Sequence, residues 1–277
     1  MTTKPIVVGT DGSAQALRAV EWAAREAVLR SAPLRIVSAA EMPPQMHLPQ
    51  EAIAIKTVAA HLIADRDLAL STAALAAAAV APGLLIDTDP LDGPPAHAVT
   101  ASGSGASLLV VGSHGSGAFV AMALGSVSRY AAVHASCPVV VVRDSAAARD
   151  RLVAVGIRST FDCAAAIAFA FEEAHLRQAA LLAVHASQYR DTLASEQAAL
   201  DDLLDDWQCK YPDVNASGDI VHDHPGRVLA DLSAKADLVV LGRHTANDRL
   251  VPGPARVIHA VVGHAHGPVV TVPPQNA

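Results

Sequence analysis

Short runs of valine, isoleucine and leucine alternate along this chain with longer stretches in which apolar positions recur every three or four residues. The alternation predicts strands joined by crossover helices, and therefore a parallel sheet in an α/β fold. In the first half the pattern predicts strands near 5–9, 34–39, 83–89, 107–112 and 138–143, with helices near 13–31, 51–80, 94–104 and 118–135. Ser13 is placed to cap the first helix, whose apolar stripe runs through Leu17, Val20, Ala24 and Val28. In the second half strands are expected near 152–156, 180–185, 216–222, 237–242 and 268–272. A helix near 191–210 sets Leu200, Leu203, Leu204 and Trp207 against Asp201, Asp202, Asp205 and Asp206, which reads as a solvated acidic face.

The two halves repeat one another. Ile6-Val7-Val8-Gly9 matches Val153-Ala154-Val155-Gly156, 147 residues on, and Leu109-Val110-Val111-Gly112-Ser113-His114 matches Val239-Val240-Leu241-Gly242-Arg243-His244, 130 residues on. The second register continues through His134/His264 and Pro138-Val139-Val140/Pro268-Val269-Val270. The second copy is therefore 17 residues shorter in its middle, and the loss is expected in the Pro-rich stretch Glu41 to Gln50 and the helix after it. Two domains follow, 1–144 and 151–273, linked around Asp144 to Asp150.

Composition narrows the classes of partner. With 277 residues, 52% hydrophobic and 17% charged, each copy can bury its own core. A formal net charge of -7 without a Lys/Arg cluster argues against nucleic acid and anionic membranes as partners. Cys137, Cys163 and Cys209 form no CxxC pair, which fits a reducing compartment. Asp11, Glu21, Arg25 and Glu26 interrupt the first 30 residues and remove a signal-peptide reading. Ala73 to Leu85 is too short for a bilayer, which needs roughly 20 residues, so the expected location is the cytoplasm.

The strongest chemical signal is the strand that empties into glycines, Leu108-Leu109-Val110-Val111-Gly112-Ser113-His114-Gly115-Ser116-Gly117, followed by Gly125-Ser126-Val127-Ser128. Such a turn exposes backbone N–H groups where nucleotide phosphate can sit. Asp11, in Gly9-Thr10-Asp11-Gly12-Ser13, can accept hydrogen bonds from ribose hydroxyls. The spacing of Gly112, Gly115, Gly125 and Ser126, with the Gly9–Ser13 turn before it and Cys137-Pro138-Val139-Val140-Val141-Val142 after it, resembles the ATP-binding branch of the universal stress protein family over residues 5 to 143. A weaker likeness covers 151 to 273.

That resemblance implies two tandem Rossmann-like (adenine nucleotide alpha hydrolase-like) domains, each a five-stranded parallel sheet of order 3-2-1-4-5 with helices on both faces. Strands one and four are then neighbours where the strand order reverses, the place where doubly wound sheets bind ligands. It further implies ATP, with or without Mg2+, held by Gly9, Thr10, Asp11, Gly112, Ser113, His114, Gly115, Ser116, Gly117, Ala118, Gly125, Ser126 and Val127, with the backbone of Ala39 and Ala40 reading adenine. The last strands, Val139 to Val142 and Val269 to Val272, are expected to meet as in an internal pseudo-dimer, leaving homodimerisation of whole chains open.

The second copy departs from this pattern. Asp11 becomes Arg158, Gly115 becomes Thr245, Gly117 becomes Asn247, Ala118 becomes Asp248, Gly125 becomes Ala255 and Ser126 becomes Arg256. Those changes remove the ribose acceptor and add Cβ atoms where backbone must approach, so this copy is not expected to hold ATP in the same manner. Enzyme motifs are lacking: there is no GxxxxGK[ST], no GxGxxG and no GxSxG. The His222/His224 and His264/His266 pairs have no third metal ligand at a convincing spacing. His114 and Arg129 are the only groups placed to assist phosphoryl transfer, so at most slow ATP hydrolysis is expected. The expectation is an ATP-binding, nucleotide-responsive stress protein; the alternatives are a ligand-free interaction module of the same fold and a weak ATPase.

Overall fold

A computed structural model describes residues 3–42, 49–115, 124–143, 150–158, 164–186, 193–243 and 254–274. The chain divides into two compact units, Met1–Cys137 and Pro138–Ala277. In the first, β1 (Ile6–Gly9), β2 (Leu34–Ala40), β3 (Ile86–Asp92) and β4 (Leu108–Gly112) alternate with α1 (Ala14–Leu29), α2 (Pro49–Val80), α3 (Pro95–Ser102) and α4 (Ser126–His134). The strands are parallel in the order β3-β2-β1-β4. Strands β1 and β4 are continuous apolar runs because both their faces are covered: Ile6, Val7, Val8, Leu108, Leu109 and Val110 are fully buried.

The second unit begins with β5 (Val139–Val142) and continues with β6 (Leu152–Ile157), β7 (Ala180–Ala186), β8 (Ala216–Val221), β9 (Leu238–Gly242) and β10 (Val269–Val272), interleaved with α5 (Ala164–Arg177), α6 (Leu193–Gln208), α7 (Pro225–Leu232) and α8 (Pro254–His264). The second copy has the parallel order β8-β7-β6-β9-β10, which is 3-2-1-4-5 in its own numbering. The two valine-rich last strands do pair: β5 runs antiparallel to β10, with Val141 opposite Val269 and Val139 opposite Thr271. Both strands are buried throughout.

The repeat is visible in detail. Leu34 is in register with Ile86, 52 residues on, and Leu181 with Ala216, 35 residues on, so the 17 missing residues lie in the second crossover. Helix α2 has 32 residues where α6 has 16. Each first helix carries a buried glutamate with an arginine one turn later, Glu26–Arg30 at 2.7 Å and Glu173–Arg177 at 2.6 Å. Just after each helix the chain takes a positive φ of 50°, at Ser31 and at Gln178.

Two expectations are corrected. The third strand spans 86–92 instead of 83–89, because Gly83 at φ +86° and the Leu84 N–H to Ala81 carbonyl bond make 81–84 a turn. The strand instead takes in Pro90, which an edge strand tolerates since one side of it has no ladder partner. In α1, Val28 is 57% exposed. The buried stripe is Ala16, Ala19, Val20, Ala23, Ala24 and Ala27, small side chains that let the helix lie close to the sheet. In α6, Leu200 and Leu204 are buried while Asp201, Asp202, Asp205 and Asp206 face solvent. Among the described residues no helix is long and apolar enough to cross a membrane.

Candidate functional site

Parallel pairing of β1 with β4, in register from Ile6 and Leu108 to Val8 and Val110, brings the loops leaving both strands to the same edge of the sheet. The first loop is short and braced by its own side chains. Thr10 is buried, its N–H donating to the Val37 carbonyl at 2.9 Å and its Oγ1 accepting from the Gly12 amide at 3.2 Å. Asp11 is exposed and its Oδ1 accepts from the Ser13 amide at 3.0 Å. Gly12 sits at φ +78°, where a side chain would be strained, and a Cβ there would lie 3.3 Å from Ala69 of α2. Ser13 caps α1 as expected, accepting from the Ala16 amide at 3.2 Å.

The loop after β4 presses against this one. A Cβ on Gly112 would stand 3.2 Å from the Gln15 carbonyl oxygen, and one on Gly9 would stand 2.8 Å from a methyl of Val99. On Gly115 a Cβ would fall 2.5 Å from Oδ2 of Asp11, so only a glycine leaves room for the carboxylate to lie beside this backbone. The empty Cβ position marks where the two loops come into direct contact.

Ser113 is 2% exposed and organises what surrounds it. Its Oγ accepts from Gln15 Nε2 at 3.0 Å and is 3.0 Å from His114 Nδ1. Its carbonyl accepts from the Gly125 amide at 2.8 Å and from the Ser128 hydroxyl at 3.1 Å. These bonds draw the start of α4 to the end of β4. Gly125 is the N-cap of α4, and its own amide is already donated to the Ser113 carbonyl. Helix geometry leaves the amides of Ser126, Val127 and Ser128 without acceptors inside the helix, and Ser126 is exposed.

Ala39 and Ala40 end β2 two and three residues past Val37, the partner of Gly9, and pair with Leu91 and Asp92; the Ala40 carbonyl accepts from the Gly93 amide at 3.1 Å. Ser116, Gly117 and Ala118 lie outside the described residues. The sequence pattern did not single out Gln15 or assign Ser128 its bridging role. Neither belongs to the glycine spacing, and the only signal for them is their place in the first turns of α1 and α4.

In the second copy Arg158 is exposed after β6, Arg243 is 8% exposed after β9, and Ala255 and Arg256 fall in the first turn of α8. Thr245, Asn247 and Asp248 lie outside the described residues. Among the described residues no three His, Cys, Asp or Glu side chains gather as a metal site.

Tandem doubly wound α/β units, the first with a glycine of one loop set against a carboxylate of the other at its strand-order reversal, define the class of this protein. Comparison with known proteins gives the family. The model of the Universal stress protein family matches residues 2–143. Universal stress protein Rv2624c of Mycobacterium tuberculosis is 32% identical over 281 residues, covering 98% of this chain and 97% of the relative. Universal stress protein Rv2623 of the same organism is 33% identical over 259 residues, covering 86% and 85%. A universal stress protein structure from Archaeoglobus fulgidus superposes with a TM-score of 0.72 at 15% identity, covering 99% of this chain and 97% of that one, and so shares the fold. The chain belongs to the universal stress protein family.

Proposed function

We propose that the first unit binds ATP, with or without Mg2+, and that the chain acts as a nucleotide-responsive regulator of the stress response in the cytoplasm. The observation that carries this reading is the vacant Cβ position of Gly115 beside the Asp11 carboxylate, 2.5 Å away, at the point where β1 and β4 meet. In the proposed complex Asp11 accepts from the ribose hydroxyls, and the amides at the start of α4 face the phosphates with the positive end of its helix dipole. The backbone ends of β2 at Ala39 and Ala40 meet the base. The Gln15–Ser113–His114 chain holds the histidine ring in one orientation beside the phosphate region.

Regulation by such a site requires only that ATP bind one conformation of the unit better than another. Among the described residues Cys137 and Cys209 form no disulfide, which is consistent with a reducing compartment. Calorimetric titration of the purified chain with ATP tests the reading. One site per chain is expected, together with adenine nucleotide in gently purified protein by mass spectrometry. Absence of both would leave a ligand-free interaction module.

A further inference from the structure

The side-chain hydrogen bonds that tie α1 to the loop after β4 run in one direction. Arg18 Nη2 donates to Gln15 Oε1 at 2.5 Å, Gln15 Nε2 donates to Ser113 Oγ at 3.0 Å, and Ser113 Oγ lies 3.0 Å from His114 Nδ1. A guanidinium has donors only, so Arg18 fixes which end of the Gln15 amide is the carbonyl and turns the amide nitrogen toward Ser113. Ser113 Oγ is thereby an acceptor toward Gln15, and its own hydrogen needs another partner. Ser113 is 2% exposed, so that hydrogen meets no bulk water, and among the described residues the acceptor beside it is His114 Nδ1. Were Nδ1 protonated, Oγ would accept twice and a buried hydroxyl hydrogen would be stranded.

We propose that Arg18, acting through Gln15 and Ser113, is a positioning residue that keeps the neutral His114 ring protonated on Nε2, so that the ring serves nucleotide phosphate as a hydrogen-bond donor and not as a base. Nδ1, the basic nitrogen of that tautomer, is engaged by the Ser113 hydroxyl. Ionised phosphate oxygens only accept, so a ring that presents N–H holds them and a ring that presents a lone pair does not. At the matching positions of the repeat the second copy keeps a histidine, His244, but has Ala165, Asp162 and Arg243 in place of Arg18, Gln15 and Ser113. The chain of bonds is therefore particular to the first copy. The donor role rests on the reading of the first unit as an ATP site, whereas the direction of the chain does not.

Imidazole nitrogen NMR shifts of the nucleotide-free full chain, in alkaline buffer where imidazoles are neutral, report the tautomer. The His114 signals are assigned by their loss in His114→Gln, and the unaltered chain is expected to carry the His114 proton on Nε2. Gln15→Glu should reverse the chain. A carboxylate still pairs with Arg18 but only accepts, so Ser113 donates to it, Oγ accepts from His114, and the proton moves to Nδ1. Arg18→Lys, another pure donor, should keep the original tautomer, while Arg18→Ala should give a mixture; Arg18 is exposed, so both variants keep the fold. A role confined to holding the loops together would leave the tautomer the same in every variant. In calorimetry Ser113→Ala should weaken ATP by about fivefold or more and adenosine by less than about twofold, since the ring meets phosphate alone. The proposal is overturned if the unaltered chain carries the His114 proton on Nδ1, if Arg18→Ala and a folded Gln15→Glu leave the tautomer unchanged, or if Ser113→Ala leaves ATP affinity unchanged. Failure of the unaltered chain to bind ATP, with the tautomer as expected, would overturn the ATP reading and with it the donor role.

Discussion

Replacing Gly115 with alanine tests the contact between the two loops of the first unit. The new Cβ would lie 2.5 Å from Asp11 Oδ2 and 3.5 Å from Cγ, closer to the oxygen than any real contact allows. The obstacle is the end of a rotatable side chain, and Gly115 is not in the left-handed region, so the fold survives and the carboxylate turns away. Turning it breaks the Ser13 N–H to Oδ1 bond of 3.0 Å. An exposed bond of this kind is worth about 1 kcal/mol, which lowers Tm by about 2–4 °C for a unit of this size. ATP loses a charge-assisted hydrogen bond worth about 1.5–3 kcal/mol, and its affinity falls roughly 10- to 150-fold. The assay is a double-mutant cycle by calorimetry over the unaltered chain, Gly115→Ala, Asp11→Ala and the pair. In the Asp11→Ala background Gly115→Ala should cost less than about 0.5 kcal/mol, since the group it displaces is gone. Additive losses would refute the argument that Gly115 acts through the carboxylate.

Other outcomes follow from the same geometry. Gly112→Val puts a branched side chain against the Gln15 carbonyl, 3.2 Å from the first Cβ, and should destabilise the first unit by about 1–3 kcal/mol in urea unfolding, because helix backbone cannot step aside. Ser128→Ala removes the hydroxyl that reaches both the Ser113 and Gly125 carbonyls, at 3.1 and 3.0 Å. Each carbonyl keeps an amide donor, so the cost by denaturation should be only about 1 kcal/mol, while ATP affinity falls as the start of α4 shifts. Glu26→Ala strands the nearly buried Arg30 and should cost about 3–5 kcal/mol by thermal unfolding. Glu21→Ala, which breaks the exposed pair with Arg25, should change stability by less than about 1 kcal/mol.

Much of the fold was legible because strand and helix periods are local. Apolar runs such as Ile6–Gly9 and Leu108–Gly112 mark buried parallel strands, and the repeat alone locates the 17-residue loss. Local signals also misled. Leu84 and Leu85 looked like the start of a strand, yet the turn at Gly83 delays it to Ile86, and Val28 continued an apolar stripe that solvent covers. In the site, glycine spacing and Asp11 marked the right loops, while Gln15, Ser128 and the spent amide of Gly125 were hidden. Hydrogen bonds between residues 98 apart, as between Gln15 and Ser113, leave no trace in a period of two or 3.6.

By itself the sequence determined the alternation of elements, the duplication, and the glycines and carboxylate at two loops, all consequences of backbone sterics and side-chain type within a few residues. The tertiary structure decided which strand ends lie together, and with that the closeness of Gly115 to Asp11 and the pairing of β5 with β10. Adjacency of distant residues depends on strand order and register, and these are set by how whole faces bury against each other.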